Sequence, residues 1–451
     1  MPIDHAARGL AAPRAVGCAG SALIAGFAWT AGDAGLGLAG VYSGLALLGL
    51  GWWWYRRSAG SVRDSYVTLG LWVAPLLAAP ALFSRDVYSY LAQGLMLEAG
   101  LDVYRFGPAA LGGVVADQVP AIWQHTPSPY GPVFLVVARA VTGVVDAHLL
   151  AGVLAMRLVA VAGLALLAGS VPVLARSAGL AGTDALWLAV LNPLVLIHLV
   201  GGAHNDALMV GLLAAGLAAA VRHRPVLAVL LVVAAALVKA PAAVGLCAVA
   251  AIWATRLPGR WPAVRAACVV GAVAVAATVA ITRIAGTGYG WIGALSTPIS
   301  PGNWSPTGLL GRWTADLLAH DDVGAALAVD LWRWAGILGT LIVAALVWTY
   351  RNRLGPVYGL GLVLLALVLF GPALRPWYVV WGLVPLAVAA HQPRVRRALA
   401  LLCAGLLPMV LPDGFPADGT KVLLAVLGAV TGAAAFLAVR MASRVPVRAA
   451  R

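Results

Sequence analysis

Long apolar runs separated by short polar joints make up the sequence from one end to the other. A helix needs about 20 mostly apolar residues to cross a hydrocarbon core of about 30 Å. Breaks at Gly, Pro and Arg divide the chain into about 14 predicted membrane-spanning helices. They lie near residues 15–30, 36–55, 66–83, 149–175, 184–200, 206–221, 226–239, 242–254, 263–284, 331–350, 356–371, 376–390, 398–412 and 420–440. The first is interpreted as a retained span rather than a signal peptide, and the two runs flanking Lys239 have one broken helix as an alternative.

Arginines cluster in alternate polar joints, and this pattern sets the predicted orientation. By the positive-inside rule those joints face the cytoplasm, which also makes both termini cytoplasmic. The apolar segment Tyr130–Val145 would reverse every later loop if it crossed, and would move the arginines from Arg176 onward to the exterior. With Arg139 at its middle, this segment is better predicted as an interfacial helix that has Pro132 in its first turn.

The composition agrees with an all-α polytopic membrane protein. Hydrophobic residues make up 62% of the 451 residues and charged residues only 10%. A net charge of +14 could indicate nucleic-acid binding. The basic residues, however, lie in the short polar joints on one side of the predicted membrane and not on one solvated face, which argues against nucleic-acid binding. The four cysteines fall within apolar segments, so no disulfide framework is predicted.

The topology predicts five parts. They are three leading transmembrane helices (1–83), an exterior loop with two interfacial helices (84–148), core transmembrane helices (149–284), an aromatic exterior loop (285–330) and C-terminal transmembrane helices (331–451). The first interfacial helix is predicted over 86–100, with Ser84 as N-cap. Its predicted polar face carries Asp86, Ser89, Tyr90 and Gln93, and its apolar face carries Val87, Leu91 and Leu95.

Most residues able to do chemistry fall at the same predicted exterior face. They are Asp86, Asp102, His125, His204, Asn205, Asp206, Lys239, Arg312 and Arg375. A site built there would act on a substrate that is both lipid-borne and polar.

Six short motifs at these positions carry a resemblance to a known family. They are Ser84-Arg85-Asp86-Val87-Tyr88-Ser89-Tyr90, Thr126-Pro127-Ser128-Pro129-Tyr130-Gly131-Pro132, Asn192-Pro193, Gly201-Gly202-Ala203-His204-Asn205-Asp206, Val238-Lys239-Ala240-Pro241 and Arg375-Pro376-Trp377-Tyr378. Together they resemble the actinobacterial polyprenol-phosphate-mannose-dependent α-1,6-mannosyltransferases, which belong to the GT-C membrane glycosyltransferases.

The resemblance implies a GT-C fold and an inverting hexosyl transfer at the extracytoplasmic face of the plasma membrane. The implied partners are a polyprenyl-phosphate-mannose donor, a lipid-anchored α-1,6-mannan acceptor (a lipomannan or lipoarabinomannan core) and membrane lipids. It also implies a catalytic acidic residue in the first large exterior loop, between two juxtamembrane helices. Two leading helices are additional to the common GT-C module.

Asp86 is the candidate general base, because a sugar hydroxyl needs a nearby carboxylate to take its proton at neutral pH. The alternative is an acidic residue that merely favours a helix N-terminus. Lys239, Arg375 and Arg85 are the candidates for holding the donor phosphate, whose negative charge grows as the glycosidic bond breaks. Their alternatives are snorkelling or interfacial anchors.

A larger set is assigned to the sugar and the acceptor, with a membrane aromatic belt, loop packing and helix self-capping as the alternatives. It comprises Tyr88, Tyr104, His125, Tyr130, His204, Asn205, Asp206, Trp291, Trp304, Trp377 and Tyr378. Asn192 and His198 are expected to satisfy local hydrogen bonds. No cofactor is predicted, and a divalent metal near His204 stays open, although few ligands lie near it in the sequence.

Two other functions remain open. Another polyprenyl-phosphate-sugar transferase, such as an arabinosyltransferase, would keep the base and change the sugar pocket. A lipid or sugar transporter would be expected to carry related halves and charges near the membrane midplane, whereas the polar residues here gather at predicted exterior ends.

Overall fold

The computed structural model describes residues 3–33, 35–58, 60–296, 305–318, 322–412 and 417–443. The α-helices are α1 Ile3–Phe27, α2 Leu36–Tyr55, α3 Val62–Leu76, α4 Asp86–Glu98, α5 Gly113–Asp117, α6 Ala121–Gln124, α7 Pro132–Val145, α8 Leu149–Ser177, α9 Gly182–Ala189, α10 Pro193–Val195, α11 Asp206–Val221, α12 Pro225–Ala236, α13 Gly245–Ala254, α14 Pro262–Ala285, α15 Pro306–Leu317, α16 Asp322–Thr349, α17 Arg351–Leu354, α18 Pro356–Phe370, α19 Val379–Ala389, α20 Pro393–Leu406 and α21 Gly419–Ala442. Short 3₁₀ segments occur at Ala28–Asp33, Pro108–Ala110, Ala240–Val244, Gly290–Ser296 and Pro376–Tyr378, and a π-helical turn at Leu196–Gly201.

Each predicted apolar run overlaps a helix, so the all-helical prediction is confirmed. Within the described residues, six helices are long and apolar enough to cross a membrane, or seven if the bent pair Gly182–Ala189 and Pro193–Gly201 is one span. Further apolar helices of 10–17 residues include α7, α11, α12 and α18. The structure thus supports a polytopic membrane protein, whereas the number of 14 crossings stays a prediction.

Two predicted boundaries were wrong. The third helix ends at Leu76, well before residue 83, and the chain from 77 to 85 is not helical. The aromatic loop predicted over 285–330 contains α15, and α16 already begins at Asp322. Its first turns, which include Ala325 and Ala326, have strong helix propensity, so the helix extends beyond the apolar run.

The buried centre of the molecule is built from α8, α9, the π-helical turn, α11 and α19, which pack against one another. Every residue from 185 to 207 is buried. Around this centre α14, α16 and α21 leave most of their apolar side chains exposed. That arrangement is typical of peripheral helices that face lipid.

The leading helices are joined closely to the last one. Helices α1 and α2 pack together, and α2 also packs against α21. A Cβ atom added at Gly428 would come within 2.1 Å of the backbone oxygen of Ala39, and one at Gly20 within 2.5 Å of the Leu48 backbone nitrogen. Small residues therefore allow these helices to approach at backbone distance, as is common between membrane helices.

Helices α4 and α7 pack against each other as a pair, and α7 begins at Pro132 as predicted. The polar face predicted for α4 is not solvated, because Ser89, Tyr90 and Gln93 are buried. Gln93 Oε1 accepts a hydrogen bond from Ser128 Oγ at 2.9 Å. The polar side of α4 thus faces inward, where it helps to form the site described next.

Candidate functional site

Four interruptions of the helical chain meet beneath α4 and α7. They are the non-helical strap at 77–85, the turn at 202–205, the break at 237–239 and the turn at 371–375. Glycines and prolines in the sequence help to account for them: Pro80 lies within the strap, and Gly201-Gly202, Pro241 and Pro376 lie at or beside a helix end. Helix ends leave backbone and side-chain polar groups available for contacts, so the interruptions concentrate polar chemistry at one place.

Asp86 is the first residue of α4. The prediction that Ser84 is the N-cap was wrong by one residue: Arg85 occupies that position, with no side-chain capping bond. Ser84 Oγ nevertheless accepts a hydrogen bond from the Asp86 backbone N–H at 3.1 Å. The Asp86 carboxylate is left to point into the site, where its Oδ2 lies 3.6 Å from His204 Nδ1.

His204 forms the floor beneath Asp86. Its side chain is fully buried and stacks on Trp377 with 4.2 Å between ring centroids. Tyr90 Oη lies 3.5 Å from the same Nδ1 atom. His204 lies in the turn 202–205, outside the spanning helices, and burial lowers the pKa of its imidazole against the opposing effect of the Asp86 and Asp206 carboxylates. The ring is therefore neutral at neutral pH.

Asp206 and Lys239 form a second, deeper pair. Lys239 Nζ lies 2.9 Å from Asp206 Oδ2 and 3.1 Å from Oδ1, and Trp381 Nε1 donates to Oδ1 at 2.6 Å. The Lys239 ammonium also lies 4.5 Å from the Tyr378 ring centroid. Lys239 is thus held by a carboxylate and an aromatic face, which contradicts the snorkelling alternative.

Self-capping at the start of α11 is also contradicted. Asn205 is the N-cap residue, but its side chain makes no capping bond. Both polar atoms of its amide are buried without a hydrogen-bond partner among the described residues. Asp206 directs its carboxylate to Lys239 and Trp381 rather than to its own helix.

The other two predicted phosphate-binding residues, Arg375 and Arg85, differ in their surroundings. Arg375 precedes the 3₁₀ turn Pro376–Tyr378 and is close enough to His204 to contribute to lowering its pKa. Arg85 is exposed, donates from Nη2 to Gln118 Oε1 at 2.5 Å and lies over the Tyr88 ring at 5.5 Å. Arg85 thus belongs to the outer edge, with Tyr88 beside it.

The remaining predicted residues do not all join this centre. Tyr130 does, because its ring meets that of Tyr90 edge-on at 5.3 Å. Tyr104 lies one step outward: its hydroxyl donates to the Tyr130 carbonyl at 3.0 Å, and burial raises the pKa of its phenol. A Cβ at Gly290 would touch the Tyr104 ring, which brings the segment containing Trp291 next to it.

Two residues of the predicted set have no described contact with the centre. His125 is exposed at the end of α6, and none of the described hydrogen bonds or ion pairs links it to Asp86, Asp206 or Lys239. Trp304 lies outside the described residues.

Several buried polar atoms around Trp377 have no hydrogen-bond partner within the described part of the chain. They are Nδ1 and Nε2 of His198, Nε2 of His204 and Nε1 of Trp377. The expectation that His198 satisfies a local hydrogen bond was therefore wrong, whereas Asn192 does so by accepting from the Leu194 N–H and donating to Leu188 O. Unpartnered buried polar groups are rare and indicate a place where a ligand or water completes the bonding.

For a metal ion the described residues provide no cluster. No group of three or more His, Cys, Asp or Glu side chains there comes close enough together to hold one. Asp86 and Asp206 instead have His204 and Lys239 as partners.

Two residues that contact the site or its supporting segments were not predicted from the sequence. Trp381, which binds Asp206, reads in sequence as one more apolar residue of a spanning helix. Arg157 is buried within α8, eight residues after its first residue, and the sequence does carry a signal for it: an arginine inside an apolar run is as costly in a membrane as the lysine at 239.

These features define the class of the protein. It is a polytopic helical membrane protein in which a carboxylate–histidine pair and a carboxylate–lysine pair lie where several helices are interrupted. Comparison with known proteins identifies its family. Residues 11–255 match the family model "Alpha-(1->6)-mannopyranosyltransferase, N-terminal domain", and residues 307–440 match "MptB C-terminal domain". The chain belongs to this alpha-(1->6)-mannopyranosyltransferase family, as the motifs predicted.

Named relatives are similar over most of their length. The chain is 40% identical over 392 residues to alpha-(1->6)-mannopyranosyltransferase A of Mycobacterium tuberculosis, covering 82% of this chain and 73% of that protein. It is 32% identical over 412 residues to alpha-(1->6)-mannopyranosyltransferase B of Corynebacterium glutamicum, covering 85% of this chain and 68% of that protein. No solved structure matches significantly.

Proposed function

We propose that this protein is a membrane mannosyltransferase of the GT-C class. It moves mannose from polyprenyl-phosphate-mannose to an α-1,6-linked mannan on a lipid anchor, at the extracytoplasmic face. The names of its relatives support the transfer of mannose. The apolar helices and the polar site at their ends support substrates that are carried by lipids.

One observation carries the assignment of the base. Of the two carboxylates in the site, the Asp86 side chain is 26% exposed and the Asp206 side chain 0%. Asp206 is also committed to Lys239 and Trp381, which use both of its oxygens. Asp86 is therefore the carboxylate that an acceptor hydroxyl can reach.

The proposed reaction uses Asp86 as the base. The acceptor hydroxyl oxygen attacks C1 of the mannose while Asp86 takes its proton, and the bond from C1 to the phosphate oxygen breaks. The polyprenyl phosphate leaves with that electron pair. Attack opposite the leaving group inverts the configuration at C1. His204, neutral and 3.6 Å from Asp86, orients the carboxylate without neutralising it.

Charge at the leaving group is the second requirement. Arg375 and Arg85 supply cationic donors, which stabilise a departing phosphate. Lys239 contributes less net charge than the sequence suggested, because Asp206 already balances it. We assign it to fixing Tyr378 and the inner wall of the phosphate site through its contact with that ring.

The donor sugar and the acceptor take different parts of the site. We assign the donor sugar to the amide of Asn205 and the indole N–H of Trp377, which are buried and have no hydrogen-bond partner among the described residues. We assign the acceptor glycan to Tyr130 at the centre and to Tyr88, Tyr104, Trp291 and His125 further out. In this proposal the part 84–148 covers the site, and the part 285–330 continues the acceptor path.

The assay that tests the function compares two lipid-linked sugars with purified protein in nanodiscs. Polyprenyl-phosphate-mannose and polyprenyl-phosphate-arabinose are supplied in parallel with an α-1,6-mannan acceptor, and the products are analysed by mass spectrometry. We expect addition of a hexose from the mannose donor alone, with inverted anomeric configuration by NMR. Pentose transfer would assign the arabinosyl alternative, and no transfer from either donor would reject the proposal.

Topology is tested separately. In a background without native cysteines, a cysteine at the exposed position of His125 should react with a membrane-impermeant maleimide in whole cells, because the cap is exterior. A cysteine at exposed Arg394 should react only after the membrane is opened, because positively charged joints face the cytoplasm. Labelling of both positions in intact cells would refute the proposed orientation.

A further inference from the structure

Among the described residues, Arg157 is the most deeply buried charged side chain outside the two acid pairs. It lies in α8 and is 1% exposed. None of the ion pairs among the described residues includes it. Its guanidinium instead donates to five backbone carbonyls, those of Leu77, Ala79, Pro80, Val200 and Gly201.

These carbonyls come from two separate segments. Leu77, Ala79 and Pro80 belong to the strap that leads into Asp86, whereas Val200 and Gly201 precede the turn that holds His204. The planar fork of an arginine suits this task, because its N–H groups point in fixed, diverging directions. One further bond, from Leu82 N–H to Gly201 O at 3.3 Å, joins the same two segments directly.

Each segment also contains a strained residue next to the site. Phe83 has φ of 60° and Ala203 has φ of 51°, in the left-handed region that side chains other than glycine rarely adopt. Phe83 lies three positions before Asp86, and Ala203 directly precedes His204. Such strain persists only where surrounding contacts enforce it, and Arg157 supplies contacts to both segments.

We propose that Arg157 is a positioning residue that fastens the strap to the turn and thereby sets the contact between Asp86 and His204. The inference deepens the proposed function, on which its kinetic part rests. This role explains why an apolar helix contains a charged residue. The guanidinium donates hydrogen bonds to backbone carbonyls that have no helical partner, and such carbonyls must be satisfied inside a membrane protein. Without Arg157 the strap and the turn would lose the side chain that binds both of them, and the distance between them would be less well fixed.

The first test does not depend on activity. Hydrogen–deuterium exchange is compared in wild type, Arg157→Gln and Arg157→Lys, with Arg176→Lys as matched control at an exposed arginine of the same helix. We expect faster exchange in Arg157→Gln at peptides covering 82–86 and also at those covering 200–206. Lysine keeps the charge but reaches fewer carbonyls, so Arg157→Lys should give a smaller increase. Exchange that rises in one segment only, or in neither, would overturn the proposal.

The second test is kinetic. Misplacement of a catalytic group by about 1 Å can cost about 10²-fold in rate, so Arg157→Gln should lower kcat by about 10- to 100-fold with little change in donor affinity. In a double-mutant cycle, Arg157→Gln and His204→Asn should be non-additive in kcat, because both act through Asp86. Additive losses would reject the link to His204. If wild type transfers no sugar, the proposed function fails while the exchange result still decides the role of Arg157.

Discussion

Asp86→Asn is expected to lower kcat by about 10²- to 10⁴-fold, the usual contribution of a general base. Asparagine has nearly the same shape as aspartate but cannot take the proton from the attacking hydroxyl of the glycan. Donor binding should change little, because the cations and the aromatic residues of the site remain. Turnover is measured with polyprenyl-phosphate-mannose and a mannan acceptor, and donor affinity by binding to the protein in nanodiscs.

Asp117→Asn provides the matched control for this change. Asp117 is an exposed carboxylate at the end of α5, in the same cap as Asp86. We expect unchanged turnover. If Asp86→Asn kept wild-type kcat, Asp86 would not be the base. If both changes reduced kcat equally, the loss would reflect a disturbed cap instead of lost proton transfer.

Lys239→Met is expected to destabilise the protein by about 3 to 5 kcal/mol, the range for breaking one partner out of a buried ion pair. The reason is that Asp206 would remain fully buried, and Trp381 Nε1 would be the one side-chain donor left to its carboxylate among the described residues. The thermal unfolding midpoint in detergent should fall markedly. The same change at Arg222, an exposed basic residue that follows the last residue of α11, should leave it nearly unchanged.

The double variant Lys239→Met/Asp206→Asn separates stability from function. Removing both charges should restore much of the lost stability, since no uncompensated charge is left. If Lys239 acts mainly by fixing Tyr378, transfer in the double variant stays low although the protein folds. Full recovery of transfer would show that the pair has a purely structural role, and no loss of stability in Lys239→Met would contradict the buried ion pair.

Sequence patterns predicted the helices well because an apolar helix can be recognised from its own stretch of sequence, as an apolar run between polar joints. They also placed Asp86, His204, Asp206, Lys239 and Trp377 at one face, since each stands where a run ends. The pairing of Asp206 with Lys239 could not be predicted, because it depends on how α11 and α12 pack.

Other features depend on contacts between distant parts of the chain. The strap after Leu76 extends an apolar run in sequence, yet it is not helical, and its free carbonyls are bound by Arg157, which lies about 80 positions further along the chain. His125 was predicted as a site residue only because it falls on the predicted exterior side of the membrane. The side of the membrane does not distinguish a residue at the centre of the site from one at its edge.

The pairing of Asp206 and Lys239 also bears on how the chain enters the membrane. Helices α11 and α12 are joined by a short turn at 222–224, so they can insert as a hairpin. In the proposed topology both charged ends must cross to the far side during synthesis, and an unpaired lysine at mid-membrane costs about 2.5 to 3.5 kcal/mol. A hairpin that brings its own counter-charge crosses as a nearly neutral unit. The charge pair that shapes the mature site would thus also ease the biogenesis of the protein.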